Sequence, residues 1–385
     1  MQETTRIIRS TLSPAQSGEP LHAGPVFAAP YHTPGDITDT TYTYARSANP
    51  TWTRLEQALA AMESGADTTA HALIFASGIA ACHAVFGAVL RPGDVVVMPS
   101  NSYYTARNLV REYLAAMGIA VRHAPASSAA DPDPITPELL DGARLLWLET
   151  PGNPGMEVCD IAALCARAHT AGALVAVDNT TPTALGQKPL VLGADFSVAS
   201  DTKSMTGHSD LLLGHVAVRD PALLGRLDRW RTLTGAVVGP MEAWLALRSI
   251  ATLPLRLERS CHNAQRIAEL LTTRREVRHI LYPGLPAHPG HSLAARQMKY
   301  FGPALGFELA GRQAAEAFLS RARLVTEATS FGGICTTAER RARWGGDAVP
   351  DGFIRLSAGC EDAGDLLADL AQALDGLPPH GAARP

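Results

Sequence analysis

No stretch of this sequence approaches the run of about 20 apolar residues that a membrane-spanning helix requires. Its first residues, MQETTRIIRSTLSP, lack the apolar core of a secretory leader. No Cys-x-x-Cys pair occurs. The six cysteines, Cys82, Cys159, Cys165, Cys261, Cys335 and Cys360, are scattered along the chain. That pattern fits neither a disulfide framework nor a zinc site and suits a reducing compartment. A cytoplasmic protein without membrane contact is therefore expected. Long basic runs are missing too: the densest is RRARWGG at 340–346, and the formal net charge is -4, so a nucleic-acid partner has little support. GxGxxG, Walker A, GxSxG and HExxH are all absent, which removes the usual anchors for dinucleotides, nucleotide phosphates, a nucleophilic serine and catalytic zinc. His208 and Asp210, in TGHSD, have no third ligand at a useful spacing, so no metal site is expected and a role in bracing their loop is.

What is present describes a globular chain with ample core. Apolar residues make up 46% and charged residues 18% of 385 positions, too many residues for one ordinary core. Residues 1–58 hold little periodic pattern and read as an ordered arm. From residue 59 to 240 strands alternate with helices. HALIFAS, DVVVMP, IAVRHA, ARLLWLET, ALVAVD, DFSVAS and HVAVRD predict strands; segments such as YTARNLVREYLAAMG and DIAALCARAHTAG predict helices, the latter capped by Asp160 and stopped by Gly172. Such alternation predicts an α/β fold with a large, mostly parallel sheet covered on both faces. Residues 241–385 predict a smaller α+β domain ending in a frayed PPHGAARP tail.

Two side chains stand out against this frame. Asp178 closes ALVAVD, and Lys203 follows FSVAS through Asp201-Thr202. Open α/β sheets bind ligands beyond the carboxyl ends of their strands, so both should face one crevice. A lysine there, beside hydroxyls at Ser200, Thr202 and Ser204, is what an enzyme needs to hold an aldehyde cofactor as a Schiff base, and that cofactor would be pyridoxal 5'-phosphate (PLP). Asp178 would then keep the pyridine nitrogen protonated. Taken singly, the lysine reads as a solvated residue and the aspartate as a helix cap or turn former; their joint placement is what carries the reading. Ser77-Gly78-Ile79 sits where a strand turns into a helix, so first-turn N–H groups and the helix dipole are available to a phosphate.

The motifs YTYARSANPTWTRLE, FASGIAA, ETPGNP, VDNT, SDTKSMTGHSD and GFIRLSAGCED fall in one order between Tyr42 and Leu374. In that order they resemble the Cys/Met-metabolism family of PLP enzymes, which includes cystathionine γ-lyase, cystathionine γ-synthase and methionine γ-lyase. The resemblance implies the aspartate aminotransferase-like fold of type I PLP enzymes and γ-elimination on a γ-substituted L-amino acid. It implies that Ser200 and Thr202 help bind the phosphate, and that Tyr103 stacks on the ring and passes protons. Tyr104 stands beside it where relatives have glycine. Glu149 and Asn153 would lie near the cofactor floor, and Arg355 would fork onto the substrate α-carboxylate. Tyr44 and Arg46 would reach a neighbouring subunit's phosphate, which implies a homotetramer built from dimers sharing active sites.

The small domain departs from the family pattern. Ser330-Phe331-Gly332-Gly333-Ile334-Cys335-Thr336 replaces SLGGxES, and ERRARWGG stands where a segment with Met-Thr-His is usual. Cys335, with Thr336 next to it in the expected substrate site, cannot pair with an ammonium as a glutamate does. A smaller substrate, with a halide as leaving group, is therefore an alternative, as is γ-replacement of an activated homoserine. A non-catalytic binding module is the third possibility, and it sits poorly with intact Lys203, Asp178, Tyr103 and Arg355.

Overall fold

The computed structural model describes residues 1–125, 127 and 134–379. Seven strands form the larger sheet: β1 His71–Phe75, β2 Val95–Pro99, β3 Ala120–Ala124, β4 Leu145–Glu149, β5 Leu174–Asp178, β6 Phe196–Ala199 and β7 Gly214–Val218. Their spatial order is β1-β7-β6-β5-β4-β2-β3, and only β7 runs against its neighbours. The carboxyl ends of β1, β2, β4, β5 and β6 therefore lie along one edge. Central strands such as β4 are buried throughout, as near-continuous apolar runs in a covered parallel sheet must be. Helices cover both faces and enclose separate cores, one around Phe86, Trp147 and Phe196, the other around Leu146, Leu164 and Val175.

The predicted helix at 104–118 is one helical run in three parts: Tyr104–Leu109, a wider turn at Val110–Leu114, and a tight turn at Ala115–Met117. Asp160 caps Ile161–Thr170 by accepting from the Ala163 N–H at 3.0 Å, as its sequence position predicts. The amino-terminal segment holds more regular structure than its composition predicts. Helix Glu3–Ser10 buries Ile7, and helix Pro50–Glu63, capped by Asn49, runs straight through the expected boundary at 58. Pro50 at its first turn and Asn49 before it form a start signal hidden in an otherwise aperiodic stretch.

The second sheet has the order β10-β11-β12-β9-β8, from β8 Arg278–Leu281, β9 Ala304–Glu308, β10 Thr326–Glu327, β11 Thr337–Arg340 and β12 Phe353–Ser357. Its apolar face packs on the 20-residue helix Leu253–Thr272 and on helix Ala363–Leu374, around Phe307, Phe318 and Leu370. The tail predicted to fray lies outside the described residues from position 380 onward. No helix among the described residues is long and apolar enough to cross a membrane.

Candidate active site

A cavity of about 240 Å³ opens at the carboxyl edge of the larger sheet and is closed on its far side by the second sheet. Ser77, Gly78, Ile79, Tyr103, Glu149, Asn153, Asp178, Ser200, Thr202, Lys203 and Arg355 all line it. Parallel pairing explains the meeting. Glu149 is in register with Asp178, and Asp178 with Val198, so residues far apart in sequence end their strands side by side.

At one end of the cavity helix Gly78–Val89 begins. Ser77 caps it by accepting from the Ala80 N–H at 3.1 Å, which leaves the first-turn N–H groups of Gly78 and Ile79 without intrahelical acceptors. A Cβ on Gly78 would stand 2.5 Å from the Ser200 Cβ, so only glycine lets these two loops meet. The Thr202 hydroxyl donates to the Leu213 carbonyl at 3.2 Å and accepts the Leu213 N–H at 3.0 Å.

At the other end two carboxyl groups lie side by side. Glu149 accepts the N–H groups of Tyr103 at 2.6 Å and Asn153 at 2.9 Å. Burial, and then the neighbouring Asp178, push its carboxyl well above the usual range. Asp178 accepts from the Thr180 N–H at 3.0 Å and from its hydroxyl, yet burial still raises its carboxyl above normal. Among the described residues no lysine, arginine or histidine pairs with Asp178. A protonated ring nitrogen would supply the cation this carboxylate lacks.

Between these ends stands Lys203, whose ammonium donates to the Ser330 hydroxyl at 2.7 Å. Burial, reinforced by the Arg355 charge, lowers its pKa to about 8, against the opposing pull of Glu339. The Phe331 ring centroid lies 5.5 Å from the Lys203 nitrogen and 5.4 Å from the Arg355 guanidinium, so one ring stands within cation–π reach of both. Arg355, on β12, donates to Asn153 Oδ1 at 2.8 Å and to the Ser330 carbonyl at 2.9 Å. Burial keeps the Tyr103 hydroxyl protonated by raising its pKa.

The turn carrying Lys203 is braced from below. His215, fully buried on β7, bonds Asp201 Oδ1 at 2.7 Å and Glu63 Oε1 at 3.1 Å. Arg256 donates to the carbonyls of Ser204 at 2.9 Å and Met205 at 3.0 Å. His208 bonds the Thr206 carbonyl at 2.6 Å, while Asp210 is exposed. Among the described residues no cluster of three or more His, Cys, Asp or Glu could hold a metal ion.

A buried lysine of lowered pKa, a helix start with free N–H groups and a carboxylate without a cation at the opposite end together fit PLP. The family model for "Cys/Met metabolism PLP-dependent enzyme" matches residues 15–375. The chain belongs to that family. "Putative cystathionine gamma-lyase" of Streptomyces coelicolor is 54% identical over 371 residues, covering 96% of this chain and 93% of the relative. L-methionine gamma-lyase of Pseudomonas deceptionensis is 39% identical over 350 residues, covering 87% and 85%. The crystal structure of cystathionine gamma synthase from Xanthomonas oryzae, in complex with cystathionine, superposes with a TM-score of 0.91 at 34% identity, covering 97% of this chain and 98% of that one. The expected fold of type I PLP enzymes is thus the fold found, and the cofactor is PLP.

Four of the expected site residues are not brought to the cavity. Tyr44 and Arg46 are exposed, with Arg46 donating to the Thr232 carbonyl at 3.0 Å and lying 5.7 Å from the Tyr44 ring. Cys335 is exposed outside the cavity lining. Thr336 is buried, but its hydroxyl is taken up by Glu361 at 2.8 Å and by the Gly359 N–H at 2.9 Å, so it ties loop to loop instead of facing the cavity. Conversely, the lining includes Ser330, Phe331 and Arg341, which sequence reasoning did not assign to the site.

Proposed function

We propose that this enzyme is a γ-lyase that cleaves the bond between Cγ and sulfur in an L-amino acid of the cystathionine or methionine type. The observation that carries the reading is the convergence of Lys203, Tyr103 and Arg355 on one cavity backed by Asp178. Bound here, PLP supplies an electron sink for negative charge developing next to the substrate nitrogen. Asp178 would hold the proton on the ring nitrogen, and the first-turn N–H groups of Gly78 and Ile79, with the Ser200 hydroxyl and with that of Thr202 once it turns from the Leu213 carbonyl, would bind the phosphate. Glu149 and Asn153 shape the floor through the Tyr103 and Arg355 contacts. Arg355 binds the α-carboxylate. Lys203, whose pKa of about 8 leaves a useful neutral fraction near neutral pH, would take the Cα proton, hand it on to the carbon that joins cofactor and substrate nitrogen, and, neutral again, take one from Cβ. Tyr103, protonated at neutral pH, donates to the departing sulfur. Water and the released amino group complete a 2-oxo acid and ammonia.

Tyr44 and Arg46 lie outside their own chain's cavity, which supports their reaching a neighbour's phosphate in a cytoplasmic homotetramer of site-sharing dimers. Names of the relatives above concern sulfur amino acids and lend the halide alternative no particular support. The test is product identification with L-cystathionine and L-methionine. A 2-oxo acid, ammonia and a thiol are expected; a thioether formed from activated homoserine and cysteine, with no 2-oxo acid from either substrate, overturns the lyase reading in favour of γ-replacement.

A further inference from the structure

Arg355 is not held by the cavity alone. Glu339 on β11 is its direct cross-strand partner, and the two side chains are 1% and 3% exposed. Glu339 Oε1 accepts from Arg355 at 2.5 Å and also from Arg341 Nη1 at 2.8 Å. Its other oxygen accepts from the Trp344 indole at 2.7 Å and from Arg343 at 3.3 Å. Arg341 in turn grips Asp347 through Nε at 3.0 Å and through Nη2. Asp347, Arg341, Glu339 and Arg355 thus form an unbroken row of alternating charges, and Arg341 lines the cavity beside Arg355. Glu339 and Arg341 belong to ERRARWGG, residues 339–346, and Asp347 follows it directly.

One oxygen shared by two guanidinium groups serves neither fully. An arriving carboxylate must compete with Glu339 for Arg355, and the more of Glu339 that Arg341 takes, the weaker that competition becomes. We propose that Glu339 and Arg341 are positioning residues that set how tightly Arg355 holds the α-carboxylate of the substrate. The inference rests on the reading of Arg355 as the carboxylate seat. A purely structural network would behave differently: breaking it anywhere would loosen Arg355 and weaken binding. The charge row instead gives opposite signs, because removing a negative member frees Arg355 and removing a positive member returns Glu339 to it.

The experiment uses the PLP-loaded enzyme, titrated separately with L-alanine and with ethylamine and followed by cofactor absorbance. Ethylamine is alanine without its carboxylate, and neither carries a γ-leaving group, so the ratio of their dissociation constants reports carboxylate recognition independently of elimination. We expect Glu339→Gln to raise the ethylamine-to-alanine ratio by about tenfold and Arg341→Gln to lower it by a similar factor. Asp347→Asn, one step further out, should raise it less. If Glu339→Gln does not fold, the opposite signs of Arg341→Gln and Asp347→Asn carry the test. Arg355→Gln should collapse the ratio. Should it leave the ratio unchanged, the carboxylate seat itself is misassigned; should it collapse the ratio while the other variants all lower it or leave it alone, the charge row alone is refuted.

Discussion

His215 offers the most direct test of how the lysine turn is held. Replacing it with leucine leaves Asp201 and Glu63 facing each other in a fully buried space. Asp201 Oδ2 and Glu63 Oε2 already have no hydrogen-bond partner among the described residues. Burial alone would depress the imidazole pKa, but the two carboxylates overcome it and raise it to about 10. Against an ordinary value near 6.5, a rise of that size corresponds to roughly 5 kcal/mol of coupling. Breaking a buried pair by removing one partner costs about 3–5 kcal/mol. Denaturant unfolding of the apoprotein should therefore show His215→Leu destabilised by about 3–5 kcal/mol. The pH dependence fixes the sign. A group whose folded pKa lies above its unfolded value stabilises fully below the unfolded one, and that stability is lost as pH rises through the folded one. Wild-type stability should accordingly fall between pH near 6.5 and about 10, and the variant should lack that slope. A variant within about 1 kcal/mol of wild type, with the same slope, refutes the reasoning.

Further expectations concern the cavity. Gly78→Ala drives a methyl group against Ser200, so PLP affinity should fall at least about tenfold by equilibrium dialysis, and the apoprotein should lose about 1–3 kcal/mol of stability to overpacking. Only the neutral Lys203 amine attacks an aldehyde, so the rate at which apoprotein captures PLP, followed by absorbance, should rise with pH through about 8 and then level. Arg355→Lys keeps the charge but loses the planar fork, so KM should rise about ten- to hundredfold with a smaller loss in kcat, read from steady-state kinetics of 2-oxo acid release.

The cofactor half of the site was legible because its residues end strands. Apolar runs such as ALVAVD and FSVAS announce both a buried strand and where it stops, and parallel pairing does the rest, which is why Asp178 and Lys203 meet as expected. The substrate half follows from cross-strand pairing in short strands that carry little pattern. β10 has two residues and β11 four, and ERRARWGG reads as a solvated basic patch until Glu339 is seen to stand opposite Arg355. Thr336 failed to reach the cavity for the same kind of reason: its partner, Glu361, is 25 residues away, and no local signal announces the bond. The brace at His215 joins three elements through side chains alone, a relation that periodicity does not encode.

The bond from Arg355 to Asn153 ties the second sheet to the loop that follows β4 of the first. The carboxylate seat proposed at Arg355 thus exists only while both halves of the molecule stay pressed together. Mild denaturant that parts them, leaving each sheet intact, should silence turnover well before far-ultraviolet dichroism registers any loss. Such an enzyme loses its chemistry at a seam, ahead of its architecture.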